Sequence, residues 1–185
     1  ELKGHPTLSW IAGAEPLPPL PEGSAVTTHK QLKTEVPQGY TAIRTPADFM
    51  KIAENPSGKY ILMNNISLEQ VKLAEGQTSY IMKRFEGELD GNNQVIHGLR
   101  ASLFDSISGT SSKKAVVKNL RVQNVFVNAG YKDIFDWQGK PVLAEANGLA
   151  REVSNGRLET IYMNCVKLNG GGYTGALGGL VNETY

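Results

Sequence analysis

Val117-Lys-Asn-Leu-Arg-Val-Gln-Asn-Val-Phe-Val127 and Leu158-Glu-Thr-Ile-Tyr-Met-Asn-Cys-Val-Lys-Leu168 align residue for residue, from position 117 to position 158, an offset of 41. Apolar residues hold the first, fourth, sixth, ninth and eleventh places of each: Val117, Leu120, Val122, Val125 and Val127, then Leu158, Ile161, Met163, Val166 and Leu168. That spacing is strand alternation interrupted by a tight bend. Two strands meeting at a corner and recurring at a fixed period predict a mainly β fold, a right-handed parallel β-helix or solenoid.

A second element recurs around the first. Ser102-Leu-Phe-Asp-Ser-Ile-Ser-Gly109, Gly148-Leu-Ala-Arg-Glu-Val-Ser-Asn-Gly156 and Gly179-Leu-Val-Asn-Glu-Thr184 each place a small residue before two positions read as buried: Leu103 and Phe104, Leu149 and Ala150, Leu180 and Val181. The first two copies run into the eleven-residue motif and the third does not. The β-helix segment, residues 40–185, is therefore expected to be truncated at its C-terminal end, leaving an open strand edge.

Upstream, Glu15-Pro-Leu-Pro-Pro-Leu-Pro-Glu22 has fixed φ angles and lacks amide donors, so it favours an extended polyproline conformation. Residues 1–39 read as a Pro-rich linker or the end of a preceding module. Thr45-Pro-Ala-Asp48 then supplies a capping hydroxyl, a proline at the first helical position and a carboxylate three residues after the cap. This predicts a short α-helix carrying Phe49, Met50 and Ala53 on one face. The helix should stop before Pro56 and cover the first rung of the solenoid.

Composition narrows the function classes. The 185 residues are 40% hydrophobic and 20% charged, ordinary for a domain with a core, and 19 basic side chains against 18 acidic ones give a net charge of +1. Such a balance supplies no field for nucleic acid, and neither a membrane span nor a leader is apparent, so no membrane contact is expected. A chain beginning at Glu1 reads as a piece of a longer protein. The one cysteine, Cys165, excludes an internal disulfide; with no base beside it, it reads as an inert, partly buried thiol.

Glu86, Glu88 and Asp90 form the one carboxylate cluster, of the kind a carbohydrate-active β-helix enzyme would use for acid–base work. Asp90, however, sits in Asp90-Gly-Asn-Asn93, where a carboxylate accepts a local backbone hydrogen bond, and Gln94 and Ala101 stand where a calcium loop needs oxygen ligands. Asn119, Asn124, Asn155 and Asn164 recur near bends and read as amides satisfying backbone groups there. No catalytic, cofactor-binding or metal-binding residue is assigned.

The run Ala47-Asp-Phe-Met-Lys-Ile-Ala-Glu-Asn-Pro-Ser-Gly-Lys-Tyr-Ile-Leu-Met-Asn-Asn-Ile66, then Phe85-Glu-Gly-Glu-Leu-Asp-Gly-Asn-Asn93, Leu103-Phe104 and Val117-Lys-Asn-Leu120, resembles the β-helical region that precedes the catalytic domain of streptococcal immunoglobulin A proteases and related zinc metalloproteases of Gram-positive bacteria. The resemblance implies a secreted, wall-associated parent whose separate catalytic domain binds zinc and cleaves immunoglobulin A. That domain's His-Glu-x-x-His motif is absent here, since His5, His29 and His97 are scattered. The fragment itself is thus expected to need no cofactor and to act as a non-catalytic spacer and substrate-positioning domain. Its partners would be immunoglobulin A and the parent's own catalytic domain. A carbohydrate-active enzyme and a surface adhesin without a protease are the alternatives.

Residues 128–147 are inserted after the first corner motif. Tyr131, Lys132, Phe135, Trp137 and Lys140 mix rings with cations in the manner of protein interfaces and form the candidate protein-binding set. The same rings could instead fold back to bury themselves.

Overall fold

The computed structural model describes residues 32–129, 131–135, 138–171 and 174–182; the Pro-rich stretch and Trp137 lie outside them. In chain order the elements are β1 (Thr41–Ile43), α1 (Pro46–Met50), a 3-10 turn (Lys51–Glu54), β2 (Lys59–Leu62), β3 (Ile66–Ser67), β4 (Ser79–Ile81), β5 (Glu88–Asp90), β6 (Val95–His97), β7 (Ser102–Ser108), β8 (Ala115–Asn128), β9 (Tyr131–Phe135), β10 (Pro141–Leu143), β11 (Ala150–Ser154), β12 (Gly156–Asn169) and β13 (Gly178–Asn182). The capping box forms as the sequence predicts. The Thr45 hydroxyl accepts from the Asp48 backbone N–H, the Asp48 carboxylate accepts from the Thr45 backbone N–H, both at 3.1 Å, and Pro46 opens the helix.

The strands form a seven-stranded sheet in the order β1-β2-β5-β8-β6-β3 with β12 added to β8, and a four-stranded sheet β13-β11-β7-β4. All pairings in both are parallel; β9 and β10 make a separate antiparallel pair. This corrects the fold class. The right-handed β-helix is replaced by a mainly β assembly of open parallel sheets with one short helix, because neither sheet closes on itself or joins the other through its strand pairing. The apolar spacing encodes which faces are buried and which strands stack. Closure depends on how sheets meet across the core, which that spacing does not specify.

Where the repeat does govern the structure is register. β12 lies along β8 with Leu158 beside Val117, Ile161 beside Leu120, Met163 beside Val122, Val166 beside Val125 and Leu168 beside Val127. Rows of side chains continue through successive strands, Tyr60–Leu89–Val117–Leu158 and Ile66–Ile96–Val122–Met163. Stacking like on like buries each side chain against the next, at about 25 cal/mol per Å² of apolar surface removed from water. The core is completed by Phe104, whose ring meets Phe85 at 4.9 Å and Phe49 of α1 edge-on at 6.0 Å. The shorter repeat holds between β7 and β11, Phe104 beside Ala150, but shifts at β13. Ala150 pairs with Gly178 and Val153 with Val181, so Gly175-Ala-Leu-Gly178, rather than Gly179-Leu-Val, is the third copy's entry. Both stretches offer small residues around a leucine, and the register is settled by main-chain bonds such as Leu149 N–H to the Ala176 carbonyl.

The corners are bends into left-handed backbone. Asn119 and Asn124 take φ of 52° and 55°, and their register mates Thr160 and Cys165 take 53° and 50°. Asparagine tolerates this region, whereas a β-branched threonine there is a conformational outlier. At the Asp90 turn the positive φ falls on Asn92 and Asn93, and Gly91 is there for space: a Cβ would lie 2.5 Å from the Leu120 Cα. Cys165, read from sequence as partly buried, is exposed, because its corner turns the side chain outward.

Thr160 is exposed, so relieving its backbone cost should act on stability alone. Thr160→Asn is expected to stabilise the chain by about 1 kcal/mol in chemical denaturation. An unchanged or lower midpoint would contradict a strained corner.

Candidate functional site

The polar centre of the seven-stranded sheet is Asp90. It ends β5 fully buried, and each carboxylate oxygen is engaged. Oδ1 accepts from the Asn92 backbone N–H at 2.9 Å and the Asn119 amide at 3.0 Å, and Oδ2 accepts from the Lys33 ammonium at 2.6 Å. The local hydrogen bond expected of a turn aspartate is present, but it is one of three. Asn92 also pairs with the main chain of Lys33 in both directions, accepting its N–H at 2.7 Å and donating to its carbonyl at 3.0 Å. One residue of the 1–39 stretch is therefore fastened to the sheet by a side-chain amide acting as a strand would.

Two residues back on the same strand, Glu88 accepts from the Tyr40 hydroxyl and the Lys118 ammonium, each at 2.5 Å, with Lys59 at 3.8 Å. Glu86 pairs with Arg84 at the surface. Each of the three acids thus has its own cationic partner: Lys33 for Asp90, Lys118 for Glu88 and Arg84 for Glu86. Asp90 and Glu88 are committed to partners within the chain.

Burial pushes the Asp90 carboxyl up, but Lys33, Asn119 and the Asn92 N–H more than reverse this and hold it below the ordinary carboxylate range. Glu88 behaves likewise, its burial outweighed by Lys118 and Tyr40. Tyr40 is driven well above its usual range by burial and by the Glu88 carboxylate it bonds.

The insertion forms the β9–β10 hairpin, Phe135 opposite Pro141 and Tyr131 opposite Leu143 with an irregularity between them, and Gly139 turns at φ 73°. Tyr131, Lys132 and Phe135 have their backbone in β9, and Lys140 is exposed beside the turn. Trp137 lies outside the described residues, so the set is brought onto one hairpin without its central ring being placed. At the hairpin's return, Ala144, Glu145 and Asn147 face Thr78 and Ser79 across a small cavity also lined by Ser102 and Arg151. Arg151 grips Asp105 through Nε at 2.8 Å and Nη2 at 3.1 Å. Sequence reading did not single out these residues, although a signal existed: Asp105 and Arg151 hold the same place in the first two copies of the shorter repeat.

The zinc implied by the resemblance finds no seat in the described residues, where no group of three His, Cys, Asp or Glu side chains could hold a metal. No described helix is long and apolar enough to cross a membrane.

The depressed acids set a pH dependence. A carboxyl whose folded pKa lies below its unfolded one adds stability above the unfolded value, about 4, and loses it as pH falls through the folded value. Unfolding free energy should therefore fall below about pH 4, and Asp90→Asn should flatten that fall while costing about 2 kcal/mol at neutral pH through its mismatched donors. Equal acid sensitivity of the variant and the parent sequence in urea titrations would contradict this.

The sequence profile of the M26 IgA1-specific metallo-endopeptidase N-terminal region matches residues 47–164, from α1 through the Asp90 turn and the hairpin into β12. Over 131 residues, 68% of the chain, it is 30% identical to an immunoglobulin A1 protease of Streptococcus pneumoniae strain R6 and covers 6% of that protein. An immunoglobulin A1 protease of Streptococcus sanguinis is 37% identical over 87 residues, 45% of the chain and 4% of the relative. The zinc metalloprotease ZmpC of Streptococcus pneumoniae serotype 4 is 32% identical over 97 residues, 50% of the chain and 5% of the relative. No solved structure matches the chain. With well over half its length matched by the profile, the chain belongs to the family of M26 IgA1-specific metallo-endopeptidase N-terminal regions.

Proposed function

We propose that the chain is a non-catalytic substrate-positioning and spacer domain of a secreted, wall-associated zinc metalloprotease that cleaves immunoglobulin A. Membership of the N-terminal-region family carries the reading. The commitment of Asp90 and Glu88 to internal ion pairs is in keeping with it, since a rigid sheet with its acids occupied serves as a scaffold. Zinc and bond cleavage belong to the parent's separate catalytic domain, which is this domain's second partner. The immunoglobulin-contacting part is the β9–β10 hairpin with Tyr131, Lys132, Phe135, Trp137 and Lys140. An antiparallel hairpin set beside parallel sheets can vary without disturbing their register, and aromatic residues are the usual anchors of protein interfaces.

Tyr131→Ala combined with Trp137→Ala in the whole parent is expected to raise KM for intact immunoglobulin A about tenfold, with kcat unchanged, because a binding contact remote from the reacting bond acts equally on ground and transition states. Circular dichroism of the doubly substituted 185-residue chain should be unaltered. An unchanged KM with normal folding would sink the hairpin assignment. Cleavage of immunoglobulin A by the chain alone would overturn its non-catalytic role.

A further inference from the structure

Three asparagines are followed directly by glycine, at Asn147-Gly148, Asn155-Gly156 and Asn169-Gly170. That dipeptide is reactive in itself: with no Cβ on the second residue, its backbone nitrogen can swing onto the asparagine Cγ and close a five-membered ring. The fold decides which of the three can do so. Asn147 is 1% exposed, its Oδ1 accepts from the Gly175 N–H at 3.0 Å, and the Gly148 N–H donates to the Gly175 carbonyl at 3.2 Å. Asn155 is turned into left-handed backbone at φ 49°, its Oδ1 accepts from the Lys114 ammonium at 3.1 Å, and Gly156 is buried where β12 begins. Asn169 differs. It is exposed at the last position of β12, its side chain donates to the neutral Asn128 Oδ1 at 2.7 Å, and no main-chain hydrogen bond among the described residues uses the Gly170 N–H.

Packing also keeps glycine in the second place. A Cβ at Gly170 would lie 2.6 Å from the Ala146 nitrogen and 2.7 Å from the Ala146 Cβ, so the reactive pair is built into the fold. What surrounds the pair gives the reaction a structural consequence. The Ala129 N–H, where the β9–β10 insertion departs, donates to the Asn169 carbonyl at 2.9 Å, and the Gly171 N–H donates to the Ala144 carbonyl at 2.9 Å, where the insertion returns. Residues 169–171 thus clasp both legs of the hairpin.

We propose that Asn169 is a self-modifying site, whose conversion to isoaspartate unfastens the base of the hairpin. The Gly170 nitrogen bonds to the Asn169 Cγ, and the side-chain nitrogen leaves as ammonia, carrying the Gly170 proton. Water then adds to the Asn169 main-chain carbonyl carbon and breaks its bond to the Gly170 nitrogen. That carbonyl becomes a free carboxylate, and the main chain now runs through Cβ and Cγ. The net exchange is OH for NH2, with water the one co-reactant. The main chain gains a carbon between the two clasping bonds, which can no longer be held at their present spacing, and the amide that bonded Asn128 is gone. The inference does not rest on the hairpin's proposed contact with immunoglobulin.

The test is ageing of the intact 185-residue chain in mildly alkaline buffer, followed by tryptic digestion, which puts the three asparagines in separate peptides. Mass spectrometry reads the exchange of OH for NH2, and isoaspartyl methyltransferase labelling reads the rerouted backbone. Asn169 should convert about tenfold faster than Asn147 or Asn155, because those two must wait for a local opening that breaks hydrogen bonds. In urea, with the fold removed, all three should convert at similar rates. Hydrogen exchange at the Ala129 and Gly171 amides should quicken in the aged chain and stay slow in freshly prepared Asn169→Asp, which carries the charge without the longer backbone. Asn169→Gln, whose ring closure needs a sixth member, should age without change at this position. The proposal is overturned if Asn147 or Asn155 converts as fast as Asn169 in the folded chain, if no isoaspartate forms at Asn169, or if both amides stay as protected in the aged chain as in the fresh one.

Discussion

The constraint on which the rest of the structure depends is the pairing of β8 along both edges. Its first half borders β5, its second half borders β6, and its other edge carries all of β12. Because these pairings are parallel and in register, the apolar places of β8 fall directly between those of its neighbours. Val117, Leu120, Val122 and Val125 are accordingly fully or almost fully buried, while their counterparts on β12, with a neighbour on one side, are only partly covered. The same eleven-residue pattern thus has two energetic values, set by position in the sheet.

Asp90 is the polar counterpart of that apolar stacking. It joins the turn after β5, the Asn119 corner of β8 and the chain at Lys33 through one buried carboxylate. A buried charge is tolerable only when its partners hold, so these separate pieces are made to order together. The repeat is interrupted by the stretch before β4 and by the β9–β10 hairpin, neither of which is tied to this carboxylate.

Much of the local structure was legible. Thr45, Pro46 and Asp48 announce the helix start because a capping box is encoded within four residues. The offset of 41 between Val117 and Leu158 announces a register because parallel strands stack like on like. Less accessible were features that join distant residues. Nothing near Lys33 says that its ammonium will meet Asp90, 57 residues on, and nothing in Ser79 marks it as a cavity wall, since the facing residues come from beyond the hairpin. Sheet closure was misjudged for the same reason: alternation describes one strand's faces and leaves open how whole sheets meet. The third copy of the shorter repeat was displaced by three residues because Gly175-Ala-Leu-Gly and Gly179-Leu-Val look alike until main-chain bonds choose between them.

Amide hydrogen exchange of the 185-residue chain, read residue by residue, tests the central role of β8 most directly, because protection reports how much of the fold must open to expose each N–H. The hydrogen-bonded amides of β8 from Val116 to Phe126 should exchange slowest, near the limit set by global unfolding, with β12 faster and the β9–β10 hairpin faster still. If β12 or β13 outlasted β8, the structure would be organised around a different strand, and the account given for its core and its buried aspartate would fail.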